Sequence, residues 1–413
     1  MENNIESIKK TLKKYSQEHL LDEYEKLDEP KKKELLKQIE KIDFELISHL
    51  YDNTKKDVEI PEAQISPIEY FDKEKLNGDY KWYQETGEKA IKNGKLAAVT
   101  MAGGQGTRLG HSGPKGTYDI GLDSHKSLFE LLCDSLKEAG KKYNVTIPWF
   151  IMTSKENNEE TIEFFKKNKY FGYELNKNIF FFIQGELPMV DTEGKILIGE
   201  DGLIKEAADG HGGIYEALVK SGMTKKMREL GVEWIFIGGV DNCLVKMVDP
   251  ILMGIAIQKN VTAAGKSVVK ANPEEKVGVF CKKNGRPSVV EYTEIPKEMA
   301  EATTKNGELI YGESHILCNL FNINAVERMG SKPLPYHTAF KKATYIDKNG
   351  NKIVPDGPNA YKFEAFLFDA FGELDDMAIL RVKREEEFAP VKNAKGIDSP
   401  ETARKLYKNF YNV

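Results

Sequence analysis

Apolar residues recur three and four positions apart, with charged residues between them, from Ile5 through Leu12, Tyr15, Leu20, Tyr24 and Leu27, and again from Leu35 through Ile39, Ile42, Leu46 and Leu50. This spacing predicts two amphipathic helices. Lysines such as Lys31 to Lys33 read as a solvated helix face rather than a binding patch. From Lys95 the texture changes to short apolar runs bounded by glycines: Leu96 to Met101, Trp149 to Met152, Ile179 to Ile183 and Trp234 to Val240. Between or after them, Ser127 to Leu136, Glu159 to Lys167, Tyr215 to Val219 and Pro250 to Gln258 carry helical patterns. Such alternation predicts an open α/β sheet of parallel strands joined by crossover helices, a form that binds ligands beyond the carboxyl ends of its strands. The less regular runs Val277 to Cys281, Ser288 to Tyr292 and Ile316 to Ile323 predict a smaller mixed sheet over the same cleft. The expected organisation is a helical region over 1–92, an α/β ligand-binding region over 93–335, and a part over 336–413 that completes it.

Composition narrows the function classes. Sixty basic and 65 acidic residues give a formal charge of -5 with no polycationic stripe, so nucleic acid is not an expected partner. Cys133, Cys243, Cys281 and Cys318 stand singly, without C-x-x-C pairs or histidines at ligand spacing, and read as buried reduced thiols. The N-terminal MENNIESIKK lacks a basic region followed by an apolar run, and no apolar stretch approaches membrane-spanning length. The expectation is a cytoplasmic protein without a membrane partner.

Candidate chemistry begins where the strand Leu96 to Met101 runs into Ala102-Gly103-Gly104-Gln105-Gly106-Thr107-Arg108-Leu109-Gly110. Glycines here let backbone N–H groups approach an anionic ligand. The loop is neither a P-loop, since no Lys-Ser/Thr follows at the right spacing, nor a dinucleotide fingerprint, whose third glycine is replaced by Leu109. Downstream, Pro114-Lys115-Gly116 holds an ammonium near the loop, where it can neutralise charge developing on phosphorus.

The run A-G-G-Q-G-T-R-L-G followed by P-K-G resembles the UDP-sugar pyrophosphorylase family, and within it the eukaryotic-type UDP-N-acetylglucosamine pyrophosphorylases. The resemblance implies a Rossmann-like open mixed sheet of the nucleotidyltransferase, GT-A-like type, with an N-terminal helical region. It places Ala102, Gly103 and Gly104 on the nucleotide, and Arg108 and Lys115 on its phosphates. It extends over Lys95 to Ala394, beyond which relatives carry a further C-terminal domain; the expectation is a reduced C-terminal region and a monomer or weak homo-oligomer.

Other segments supply further candidates. Gln184 ends the apolar strand Ile179 to Ile183, and an amide at a strand's carboxyl end can read a pyrimidine edge; in the family a glutamine at the matching place contacts uracil. Asp209-Gly210-His211-Gly212-Gly213-Ile214-Tyr215 is a glycine-rich turn opening a helix, which favours an anion or a closely packed nucleoside. The resemblance assigns Gly210 to the nucleotide. His211 replaces the asparagine that touches sugar in N-acetylglucosamine enzymes, whereas related UDP-glucose enzymes use a histidine in a similar turn. Asp241, at the end of the strand Trp234 to Val240, can hold Mg²⁺, and the V-D-N triplet matches the family, where the aspartate lies beside phosphates and metal. Glu291 and Tyr292 in Val289-Val290-Glu291-Tyr292, Asn319, and Lys362 before Phe363-Glu364 are implied sugar-side residues, and Lys392 in Phe388 to Ala394 a second phosphate-directed lysine.

The implied reaction is attack by a sugar 1-phosphate oxygen on the α-phosphorus of UTP. It needs positioning and cations rather than a covalent nucleophile or a base. The substrates expected are UTP and N-acetylglucosamine 1-phosphate, with Mg²⁺ as cofactor; His211 leaves glucose or galactose 1-phosphate open. A dehydrogenase is disfavoured by Leu109. A non-catalytic UDP-sugar binding protein would have no use for Lys115, Asp241 and Lys392 together.

Overall fold

The computed structural model describes residues 2–22, 24–55, 64–347 and 349–413; residues 56–63 of the expected helical region lie outside them. The chain divides into two units, Met1–Glu62 with Gly185–Gly213 and Leu334–Phe366, and Ala63–Gln184 with Ile214–Pro333 and Leu367–Val413.

The larger unit is built on an eleven-stranded sheet. Seven of its strands position the candidate residues: β1 (Leu96–Met101), β2 (Trp149–Thr153), β3 (Ile179–Ile183), β4 (Trp234–Gly239), β5 (Ala263–Val269), β6 (Glu313–Asn322) and β7 (Ala378–Arg381). Along the sheet the order is Phe71–Asp72, β7, β5, β6, β4, β1, β2, β3. Neighbours are parallel except β6, which is antiparallel to both β5 and β4. Every residue of β1 and β2 is buried, the signature of strands covered on both faces. The crossover Leu128–Tyr143 starts at a capping box, in which Ser127 and Glu130 satisfy each other's backbone N–H groups, and ends at Asn144 in the left-handed region. Pro250–Gln258 begins with a proline in its first turn and with Asp249 accepting from Ile251 N at 2.9 Å.

The expectation for the late strands is corrected. The late runs do not form a separate sheet: β6 inserts between β4 and β5, and Val279–Lys283 pairs with Arg286–Val290, with Ile65–Pro67 and, at Val279, with β6. A positive φ of 52° at Leu317 and a register shift opposite Gly265–Ser267 break the strict alternation of β6. Polar Ser314, His315 and Asn319 are buried in it, which disguises an interior strand as an irregular one.

In the smaller unit, helices Glu2–Lys14, Glu29–Lys41 and Phe44–Asn53 bury Leu12, Leu35, Ile39, Phe44 and Ile47 against Val190, Ile196, Ile198, Ile204 and Phe363. The first predicted helix stops at Lys14, where Ser16 takes a φ of 56° and short 3-10 turns follow at Glu18–Leu21 and Tyr24–Lys26; the second is two, because Ile42 is extended and Asp43 caps a new start by accepting from Leu46 N at 2.9 Å. Two buried amides join these helices to the strand-like segment 194–204. Gln17 bonds Gly194 O and Ile196 N at 2.8 and 2.9 Å, and Gln38 bonds Ile204 O and N at 3.1 and 2.9 Å. A three-stranded sheet, His337–Lys341, Ala360–Glu364 and Val190–Asp191, completes the framework.

Candidate active site

Chain order reverses at β1: β2 and β3 lie to one side and β4 to the other, all parallel. In open α/β sheets a ligand crevice forms outside the strands' carboxyl ends at such a switch point. The glycine-rich segment leaves β1 there and folds back on itself. Gly106 N donates to Gly113 O at 3.0 Å, His111 N to Gly106 O at 3.1 Å, and Lys115 N to Gly104 O at 3.0 Å. Ala102 is buried, its N–H donating to Met152 O at 2.8 Å. A Cβ on Gly103 would lie 2.2 Å from Gln184 Oε1, so a larger residue here would push aside the amide of the residue that follows β3. Gln184 is itself buried, its N–H donating to Thr153 O at 2.9 Å. Gly104 and Arg108 are exposed at the open side of the loop, Arg108 within a short 3-10 turn, Thr107–Leu109.

The cations gather around the end of β4. Lys115 Nζ stands 3.6 Å from Asp241 Oδ2, both side chains about one-fifth exposed at 18% and 22%. Gly239, Asp241, His315 and Lys392 line one small cleft. Lys392 reaches it from a distant part of the chain; its ammonium is 3.8 Å from Asp398 Oδ2 and half-exposed. Burial raises the Asp398 carboxyl above the usual carboxylate range, with Lys392 opposing. Among the described residues no group of three or more His, Cys, Asp or Glu could hold a metal by itself.

In the same unit Glu291, half-buried, and Tyr292, exposed, follow the strand Arg286–Val290. Asn319 on β6 is fully buried, its Oδ1 3.3 Å from His315 Nε2, and its Nδ2 has no protein partner. Gly210, His211 and Lys362 belong to the smaller unit. Gly210 has φ of 88°, and a Cβ there would lie 2.3 Å from Ala365 O. Gly212 N donates to Ala365 O at 2.8 Å, and Ala365 N to Asp209 O at 2.7 Å, which fixes the turn against the chain after Lys362. His211 stacks on Phe366 with centroids 5.4 Å apart. Lys362 lies on the strand Ala360–Glu364, its Nζ 2.5 Å from Glu364 Oε1.

Two supporting residues escaped the sequence reading. Asn157, fully buried, donates to Ala102 O at 2.9 Å and to Gly104 O at 3.3 Å and so braces the cradle from behind. His315 touches Asn319 across the bulge of β6. Neither sits in a motif, and each acts through a partner that the linear pattern does not show.

A family model described as UTP–glucose-1-phosphate uridylyltransferase matches residues 41–398. UDP-N-acetylglucosamine diphosphorylase 2 of Arabidopsis thaliana is 38% identical, with 97% of this chain and 83% of the relative covered. The UDP-N-acetylglucosamine pyrophosphorylase of Saccharomyces cerevisiae is 36% identical, with 95% and 87% covered. Among solved structures, the uridine diphosphate N-acetylglucosamine pyrophosphorylase of Trypanosoma brucei in complex with inhibitor superimposes with a TM-score of 0.82 at 32% identity, covering 98% of this chain and 84% of that one. No helix among the described residues is long and apolar enough to cross a membrane. With a glycine cradle, a paired lysine and aspartate at the switch point, and relatives aligned over nearly the whole length, the chain belongs to the UTP–glucose-1-phosphate uridylyltransferase family.

Proposed function

We propose that the protein transfers the uridylyl group of UTP to N-acetylglucosamine 1-phosphate, forming UDP-N-acetylglucosamine and releasing pyrophosphate. The observation that carries this reading is the placement of Lys115 within 3.6 Å of Asp241 at the mouth of the glycine cradle. A phosphate oxygen of the sugar substrate attacks the α-phosphorus, the bond to the β-phosphate oxygen breaks, and pyrophosphate departs. The nucleophile is already an anion, so the protein supplies orientation and positive charge. Gly103 and Gly104 offer backbone N–H groups to the phosphates, and Lys115, Arg108 and Lys392 neutralise the charge that builds on α-phosphorus and leaving group. Gln184, beside Gly103, offers a paired donor and acceptor to uracil. Asp241 is the one residue we assign to Mg²⁺: a hard ion commonly takes one or two carboxylates and completes its shell with phosphate oxygens and water. A magnesium ion held there would supply positive charge against the phosphates.

The N-acetylated acceptor is favoured by the names of the relatives at 36–38% identity. Glu291, Tyr292, Asn319, Gly210, His211 and Lys362 are the residues we assign to the sugar side and the nucleoside. His211 supports a second reading, in which glucose or galactose 1-phosphate is the acceptor. We further place the protein in the cytoplasm as a monomer or weak homo-oligomer; its charge of -5 offers nothing to nucleic acid. We assign nucleotide and sugar binding to 93–335, completed by 336–413, with 1–92 accessory. Initial rates of pyrophosphate release with UTP across a panel of sugar 1-phosphates test the acceptor. The expected result is a kcat/KM for N-acetylglucosamine 1-phosphate at least about tenfold above that for glucose 1-phosphate, one to two contacts' worth of discrimination. The reverse order would favour the reading based on His211.

A further inference from the structure

We propose that Asn242 is a positioning residue for Lys392, latching the chain segment that carries this lysine onto the strand end that carries Asp241. The proposal rests on the reading of Lys392 as a phosphate-directed cation. Asp241 and Lys392 are far apart in sequence, yet they share one cleft. Segment 387–391 crosses the end of β4 antiparallel to it, with Asn242 opposite Pro390. The backbone supplies two bonds, Cys243 N to Ala389 O at 3.2 Å and Val391 N to Asp241 O at 2.9 Å. The Asn242 side chain supplies the rest. Its Nδ2 donates to Glu387 O at 2.7 Å, and its Oδ1 accepts from Ala389 N at 2.9 Å and from Leu244 N at 3.2 Å. It is 4% exposed, so these bonds form away from competing water. A primary amide of this length offers a donor and an acceptor at once, here to Glu387 O and to the N–H groups of Ala389 and Leu244.

Residue 387 is clamped at its other end as well. The Glu387 carboxylate, 1% exposed, accepts from Lys266 Nζ at 2.5 Å and from Lys73 Nζ at 3.1 Å. Both lysines also reach Asp249 Oδ2, at 2.8 and 3.2 Å, and Asp249 caps Pro250–Gln258. The carbonyl of Glu387 is therefore held by the strand end, and its carboxylate by Lys266 of β5 and by Lys73, two cations it shares with the helix cap Asp249. A lysine has a long, flexible stem, so besides the Asp398 carboxylate that faces its ammonium, the backbone from which Lys392 starts decides where that charge can reach. Asn242 and the ion cluster fix that backbone, and neither need touch substrate.

A double-mutant cycle on the full chain tests the coupling. Turnover and KM for UTP are measured for the unaltered protein, N242A, K392A and N242A/K392A, with urea unfolding to establish that each is folded. We expect K392A to lower kcat by about 10²-fold, and N242A to lower it by about tenfold with KM for UTP within about threefold. In the K392A background, N242A should then cost less than about threefold. Independent, multiplicative losses would overturn the positioning role and leave Asn242 a structural residue only. Unchanged kcat in K392A would instead remove Lys392 from the chemistry, a separate failure. Should N242A not fold, N242S, whose single hydroxyl cannot replace both the Nδ2 and the Oδ1 bonds, goes through the same cycle with the same two readings.

Discussion

An added Cβ on Gly103 would sit 2.2 Å from the Gln184 amide oxygen, and this one distance joins two residues that entered the argument from separate motifs. The glycine-rich loop, Lys115, Gln184 and Asp241 were legible in the sequence because glycine clusters and strand-terminal polar residues are local signals. Asn157 and His315 were not, since a lone buried amide or imidazole shows its role only through the partner it meets; Asn242 stood in the V-D-N triplet, but its bonds to the chain around Glu387 and Ala389 did not show there. The thiols were legible by their isolation. All four cysteines are buried, and burial pushes Cys133, Cys243 and Cys318 up to about 12 and Cys281 to about 11, which leaves little reactive thiolate at neutral pH. The prediction at this scale concerns Lys115, the cation nearest the Asp241 carboxylate. Replacing it by alanine should lower kcat by about 10²- to 10³-fold while the urea midpoint stays close to that of the parent, since an interaction made mainly in the transition state is lost. Turnover within a factor of three of the parent would take Lys115 out of the mechanism.

Among the elements, β1 and β3 and the helix Pro250–Gln258 fall where the periodicity placed them, because continuous apolar runs and a capped proline start are unambiguous. The pattern failed where burial is bought with polar contacts. Lys266 lies in β5 at 0% exposure, a position that any binary reading would turn toward solvent. It is tolerated because Asp249 and Glu387 surround it: burial alone would lower the ammonium, and the two carboxylates lift it above the usual lysine range. Burial would likewise raise the Asp249 carboxyl, but Lys266 and Lys73 hold it well below the usual carboxylate range. A depressed carboxyl stabilises the fold above its unfolded pKa of about 3.9 and loses that contribution as pH falls toward its folded value. The raised lysine contributes at every pH below its unfolded value of about 10.4 and loses this only in more alkaline solution. Asp249→Asn should therefore be less stable by about 3 kcal/mol at pH 7, a gap that narrows steadily below about pH 4. Urea midpoints of parent and variant between pH 7 and pH 2 check this, and a gap that stays constant with pH would contradict the assignment.

For the molecule as a whole, the α/β class, the mostly parallel sheet and the crossover helices followed from the alternation of runs, and the family from one long-spaced motif. The place of β6 did not follow. Its bulge at Leu317 and its buried Ser314, His315 and Asn319 carry no periodic signal, and its pairing with β4 and β5 is a long-range event. That insertion brings Asn319 and His315 into the unit that holds the glycine loop, Lys115, Asp241 and Lys392. The central claim is that these groups serve uridylyl transfer rather than binding or hydrolysis, and ³¹P NMR of the purified protein with Mg²⁺, UTP and N-acetylglucosamine 1-phosphate tests it most directly. The account predicts loss of the sugar phosphate monoester resonance in step with the appearance of pyrophosphate and of the paired diphosphate resonances of a UDP-sugar. Unchanged spectra, or orthophosphate as the product, would contradict it.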